Sequence, residues 1–140
     1  MTIIKWRDSY SVGVVRFDLE HKVLVELINH IYSIIRNGND QTVPEYEITE
    51  LIRYTQAHFK GEEETMERCG YEFLEDHRKI HAELEVKVLK FKEQLHNCSD
   101  RVVSALYLFL RDWLLKHILE EDMKYKECLS ACEEVGKGAP

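Results

Sequence analysis

The chain has 140 residues, a length that suits one domain with a core large enough to need no staples. Hydrophobic residues make up 44% and charged residues 32%, and the formal net charge is -7, a balance that disfavours nucleic-acid and anionic-membrane partners. No run approaches the roughly 18 apolar residues of a membrane span. The N-terminus MTIIKWRDSY has no basic stretch leading into an apolar one, so no signal peptide is expected and a cytoplasmic location is. Four cysteines (Cys69, Cys98, Cys128, Cys132) show no CxxC spacing and are expected as reduced thiols.

Residues 1–17 contain β-branched residues, a glycine and no 3.6 period, which predicts an extended arm packed down by Trp6, Tyr10, Val12 and Val14. Asp18 is a plausible N-cap for a first helix over 19–37, whose stripe reads His21, Leu24, Ile28, Ile31, Ile35. Asn37-Gly38-Asn39-Asp40 ends it in a turn. Pro44 suits the start of a second helix, with Ile48, Leu51, Ile52, Thr55, His58, Phe59, Glu62, Met66 and Cys69 inward and Gly70 as its stop.

A third helix over 74–97 carries His77, His81, Leu84, Val88, Phe91 and Leu95 in steps of four and three. That is a bundle seam whose first two members are histidines. Ser99 or Asp100 can cap a fourth helix over 101–132 with Leu106, Leu110, Trp113, Leu114, His117 and Ile118 inward. A frayed tail over 133–140 follows. Four long helices with short connections predict an all-α, antiparallel up-down-up-down four-helix bundle over 18–132, within a single domain spanning 1–140.

Each inner face then contributes a metal-binding side chain: His21 from the first, His58 and Glu62 from the second, His77 and His81 from the third, His117 from the fourth. One histidine on an apolar face is ordinarily a hydrogen-bonded core residue. Five at one level, with a buried glutamate, would cost several kcal/mol per group without a metal. His30 and His96 lie off these stripes and are expected in solvent. Five imidazoles and a carboxylate exceed the four ligands of a structural zinc site and are too nitrogen-rich for calcium or magnesium. Shared between two ions they fit a non-haem di-iron centre, although zinc, copper and manganese accept the same donors. A histidine-rich, carboxylate-poor set also differs from ferritin-like sites and suits reversible binding of a small ligand.

The pieces W-x3-YSVGV, D-x2-HK, HF-x2-EE-x2-M, GY-x5-H-x3-H and FL-x-DWL-x2-HI-x3-D, from Trp6 to about Tyr125, resemble the hemerythrins, most closely the bacterial single-domain ones. The resemblance implies two iron ions in an oxo- or hydroxo-bridged centre. His77, His81 and His117 would hold one iron, His21 and His58 the other, with Glu62 and Asp122 bridging. It further implies dioxygen bound reversibly at the two-histidine iron, in a pocket lined by Phe59, Trp113, Leu114 and Ile118. Plain core packing is the other reading of those four.

Spacing alone would choose Glu121, four residues after His117, over Asp122, five after and about 140° round an ideal helix. The resemblance selects Asp122, which calls for a π-bulge or distorted turn near His117. The segment FDLEHK places Glu20 where bacterial members often carry glutamine. Glu20 either faces solvent or alters the surroundings of the ligands.

The implied function is dioxygen storage, transport or delivery without catalytic turnover, with dioxygen as ligand and an oxygen-consuming protein as the partner it would serve. The alternatives are an oxygen or redox sensor acting through a partner, weakened because the chain ends after the bundle, and a di-iron enzyme reducing peroxide or nitric oxide.

Overall fold

A computed structural model describes residues 3–37, 45–94 and 100–138. Among them every regular element is helical: α1 (Val15–Asn37), α2 (Glu45–Arg68), α3 (Leu74–Gln94) and a fourth rod made of α4 (Asp100–Lys116), a π turn (His117–Asp122) and α5 (Met123–Gly138). α1 packs on α2, α2 on α3, α3 on α4, and α4 closes the ring on α1. This is the expected four-helix bundle. Its seam follows the expected stripes, with Leu24, Ile28, Ile31, Ile48, Leu51, Met66, Leu84, Val88, Leu106 and Leu110 all buried. Burial of these 3-4 stripes, more than intrinsic propensity, is what holds helices of this length together.

The boundaries differ from expectation at both ends. α1 begins at Val15, so the arm ends at residue 14 rather than 17, and Asp18 lies inside the first turn. Its carboxylate accepts from the Val12 N–H at 2.8 Å and the Ser11 hydroxyl at 2.6 Å, tying the arm to the helix it was expected to cap. Gly13, at φ +76°, makes the bend that lets Val12 and Val14 turn inward. The arm itself contains a short 3-10 turn (Asp8–Tyr10) and is pinned where the Ile4 N–H donates to Asn29 Oδ1 at 2.9 Å and Asn29 Nδ2 donates to Ile4 O at 2.8 Å.

At the other end α5 runs to Gly138, past the expected stop at 132. The expected turn at 38–40, the Pro44 start, Leu95, His96, Cys98 and the Ser99 cap lie outside the described residues. His30 is exposed, as expected.

The α2–α3 turn is the one that aims the site. Gly70 (φ +70°) follows the end of α2, the Tyr71 N–H donates to Met66 O at 2.9 Å, and the Gly70 N–H donates to Glu67 O at 3.1 Å. These two bonds form the glycine-ended Schellman cap, which satisfies the last carbonyls and reverses the chain within a few residues.

The thiols overturn an expectation. Cys69, next to that glycine, is disulfide-bonded to Cys132 on α5, with Cα atoms 5.8 Å apart. Cys128 stays free and half-buried, its thiol 3.7 Å from Cys69 O. Nothing local signals this pairing, because its partners lie 63 residues apart and meet only once the fourth rod returns to the end of α2.

Candidate metal centre

Each helix delivers its histidine to one level of the bundle interior. α1 brings His21, α2 brings His58 and Glu62 one turn apart, α3 brings His77 and His81 one turn apart, and the π turn brings His117 and Asp122. All seven are buried. The spacings of four work because such residues share a helix face.

The pair at spacing five works because the helix changes register. In the π turn the Met123 N–H donates to Ile118 O, five residues back. The extra residue per turn rotates Asp122 onto the His117 side. Glu121, favoured by ideal spacing, lies instead near the surface, paired with Lys124 at 3.2 Å. A single π turn of this kind is common at functional sites.

The donor atoms fall into two overlapping groups. Glu62, His77, His81, His117 and Asp122 form one, and His21, His58, Glu62 and Asp122 the other, with donor atoms inside each within 4.8 Å of one another. Both carboxylates belong to both. Asp122 Oδ1 lies 3.0 Å from His77 Nε2 and 3.0 Å from His117 Nε2, while Oδ2 lies 3.1 Å from His21 Nε2. Glu62 Oε1 stands between His58 Nε2 at 3.3 Å and His81 Nε2 at 3.5 Å. His81 Nε2 and His117 Nε2 face each other at 3.1 Å.

Many of these atoms lack any hydrogen-bond partner: His21 Nε2, His77 Nε2, Glu62 Oε1 and both Asp122 oxygens. Orphaned polar atoms at this depth cost several kcal/mol as they stand. Cations between the converging lone pairs would satisfy them together. The donor set therefore fits two ions, three imidazoles to one group and two to the other, with shared carboxylates. Imidazole and carboxylate suit iron, zinc, manganese or copper.

The electrostatics agree. Burial and the Asp122 charge push the Glu62 carboxyl up, but His58 and His21 outweigh both and hold it below the usual carboxylate range. Asp122 is depressed in the same way, burial being overcome by His117, His21 and His77. Burial lowers His58, yet Glu62 and Glu20 raise it to about 10. Without metal, His58 is therefore protonated at neutral pH. Ligation through Nε2 requires the neutral ring, so metal uptake should release protons. Calorimetric titration of the metal-free protein in two buffers of different ionisation enthalpy should show net release; identical apparent enthalpies would contradict this charge state.

Two side chains outside the expected set join the site. Tyr125, fully buried on α5, donates its hydroxyl to Glu62 Oε2 at 2.5 Å, and burial together with Glu62 raises its pKa well above the usual value. It sits three residues past Asp122, so carrying the fourth stripe through the π turn would have found it. Tyr125→Phe leaves that oxygen without its donor and should cost about 1–3 kcal/mol. A thermal melt of the metal-free protein measures it, and an unchanged midpoint would show the bond carries no net stability. Glu20 is the second: its Oε1 lies 2.6 Å from His58 Nδ1. That resolves the open alternative for Glu20 toward the ligands.

The aromatic residues expected beside the ligands stack on them. Phe59 lies parallel to His81 with ring centres 3.6 Å apart, and Trp113 lies against His117 at 4.4 Å. Phe59, Trp113 and Leu114 also line an apolar cavity of about 30 Å³, continued by Leu24, Ile28 and Leu51. Ile118 is buried but is not on that lining.

Residues 12–129 match the family model described as the hemerythrin HHE cation binding domain. A bacteriohemerythrin of Pseudomonas aeruginosa is 33% identical over 129 residues, covering 92% of this chain and 83% of that protein. One from Methylococcus capsulatus is 29% identical, covering 94% and 100%. A solved structure titled as wild-type hemerythrin superposes with a TM-score of 0.80 at 26% identity, covering 92% of this chain and 99% of that one. Among the described residues no helix is long and apolar enough to cross a membrane.

Proposed function

The chain belongs to the hemerythrin family, and from that premise we propose that it binds dioxygen reversibly at a non-haem di-iron centre, for storage, transport or delivery rather than turnover. The observation that carries the reading is the sharing of Glu62 and Asp122 between a three-histidine and a two-histidine donor group. His77, His81 and His117 would hold one iron, His21 and His58 the other, and the position left open on the second would take the ligand. The chemistry a bound ferrous pair supplies is transfer of two electrons to dioxygen, returned on release.

The chain's own residues do the rest. Asp122 and Glu62 hold the two groups at fixed separation. Tyr125 keeps its proton at Oη and fixes the free side of Glu62. The Phe59, Trp113 and Leu114 wall adjoins a cavity large enough for a diatomic molecule and apolar enough to disfavour water. Keeping water and protons out slows the loss of electrons from the bound state.

The test is iron analysis with the absorption spectrum of the reduced protein before and after oxygen. Two irons per chain and a visible band that appears and reverses are expected. A colourless, zinc-filled protein would overturn the reading. One feature favours the enzymatic alternative: Glu85 is a carboxylate on the cavity lining, and burial and Glu63 raise its pKa. Peroxide or nitric oxide turnover that is lost in Glu85→Gln would replace binding by catalysis.

A further inference from the structure

Among the buried imidazoles, His58 is held differently from His21, His81 and His117. The Nδ1 atoms of His21, His81 and His117 have no hydrogen-bond partner, and the nearest carboxylate to His81 Nδ1, on Glu63, stands 3.7 Å away. His58 Nδ1 instead meets Glu20 Oε1 at 2.6 Å. A carboxylate accepts there, so Nδ1 keeps its proton, and Nε2, which faces the donor cluster 3.3 Å from Glu62, is the nitrogen that gives up its proton to offer a lone pair when a metal binds.

The contact continues outward. The second oxygen of Glu20 receives the Arg16 Nε–H at 3.1 Å, one turn earlier on α1, and the Arg16 side chain is 60% exposed. Facing it on α2 is buried Gly61. A Cβ at that position would stand 2.5 Å from an Arg16 guanidinium nitrogen and 3.2 Å from its central carbon. Gly61 is therefore the space in which Arg16 lies, three residues along α2 from the histidine at the end of the chain of contacts.

We propose that Arg16 and Glu20, with Gly61 making room for them, are positioning residues that set how strongly His58 donates electrons to its metal. The proposal rests on the two-metal reading above. A carboxylate bonded to the far nitrogen fixes the tautomer and makes a metal-bound imidazole a stronger donor. Arg16 draws charge from the same carboxylate and moderates that donation. The relay reaches solvent at Arg16, so the two-histidine metal can be tuned from the surface without altering any ligand. His77, His81 and His117 belong to the other group, so the relay acts on one metal and not on its neighbour.

The opposite roles of the two charges give opposite signs. Glu20→Gln keeps an oxygen that can accept from Nδ1 but removes the charge. It should move the reduction potential of the iron-loaded protein to more positive values. Arg16→Gln frees the carboxylate from its counter-charge and should move the potential the other way. Gly61→Ala, which displaces Arg16 while leaving Glu20, should follow Arg16→Gln. Glu20→Ala should weaken metal binding at the two-histidine group by about tenfold or more.

The zinc-loaded protein gives a readout independent of oxygen chemistry. In long-range 15N–1H spectra the His58 Nδ1 proton should be strongly deshielded in the parent and move upfield in Glu20→Gln. A merely structural role would shift all three potentials in one direction or none. Potentials of one sign, or an unmoved His58 proton, overturn the proposal even where oxygen binding is intact. Opposed potentials and a moved proton in a protein that binds no oxygen would support it and overturn the dioxygen reading alone.

Discussion

Asp122→Ala should drop the metal content from two ions per chain to at most one, while Glu121→Ala should keep both. Asp122 has one oxygen 3.0 Å from both His77 and His117 and the other 3.1 Å from His21, so it serves both donor groups. Removing it takes one carboxylate from each and leaves Glu62 as the sole anion among five buried imidazoles. The empty protein suffers too. His58, His21 and His77 all have raised pKa values, the last two through Asp122 after burial has opposed the charge. Stripping the counter-charge from such a cluster should cost about 3–5 kcal/mol.

Glu121 faces Lys124 at the edge of the rod, and its loss should stay within about 0.5 kcal/mol. Metal analysis after reconstitution, with melting curves of both variants, decides the matter. Equal metal content in the two would sink the assignment of Asp122 and with it the π turn as the device that builds the site.

That pair also shows where sequence reasoning reached and where it stopped. Histidines spaced by four on apolar stripes translate directly into positions in a bundle, because helix periodicity and burial of the stripe are both local. Gly70 was readable for the same reason: a glycine at the end of a stripe is a cap, and the cap points α3 back along α2. The Asp122 position appeared only as a conflict with the 3.6 period, and the π turn is its physical resolution.

The misses were non-local or masked by composition. Val15, Arg16 and Phe17 were expected in the extended arm, yet they form the first turn of α1. Glu20 lies off the inner stripe of α1 and gains its role only from His58 across the interface with α2. The share of the cavity lined by Leu24, Ile28 and Leu51, and the absence of Ile118 from it, depend on how four faces meet, and the Cys69–Cys132 link on where the fourth rod ends.

Cys132→Ser should then lower stability by about 2–4 kcal/mol, because the link closes a loop spanning 63 residues and so restricts the unfolded chain far more than the folded one. For a domain of this size the melting temperature should fall by about 5–15 °C. Cys128 complicates a single substitution, since its thiol already lies against Cys69 O and can form a substitute bridge. The Cys128→Ser, Cys132→Ser double variant removes that escape and should show the full loss, matched by the parent protein under a strong dithiol reductant.

Metal content should not change in either variant. His117 and Asp122 lie upstream on the fourth rod, and α5 remains anchored by fully buried Tyr125 and Leu129. Stability would fall while the donor cluster kept its ions, which separates the clamp at the end of α2 from the site it lies beside. If neither the variants nor the reductant moved the melting temperature, Cys69 and Cys132 would be separate thiols in solution, and the reduced state expected of them would stand.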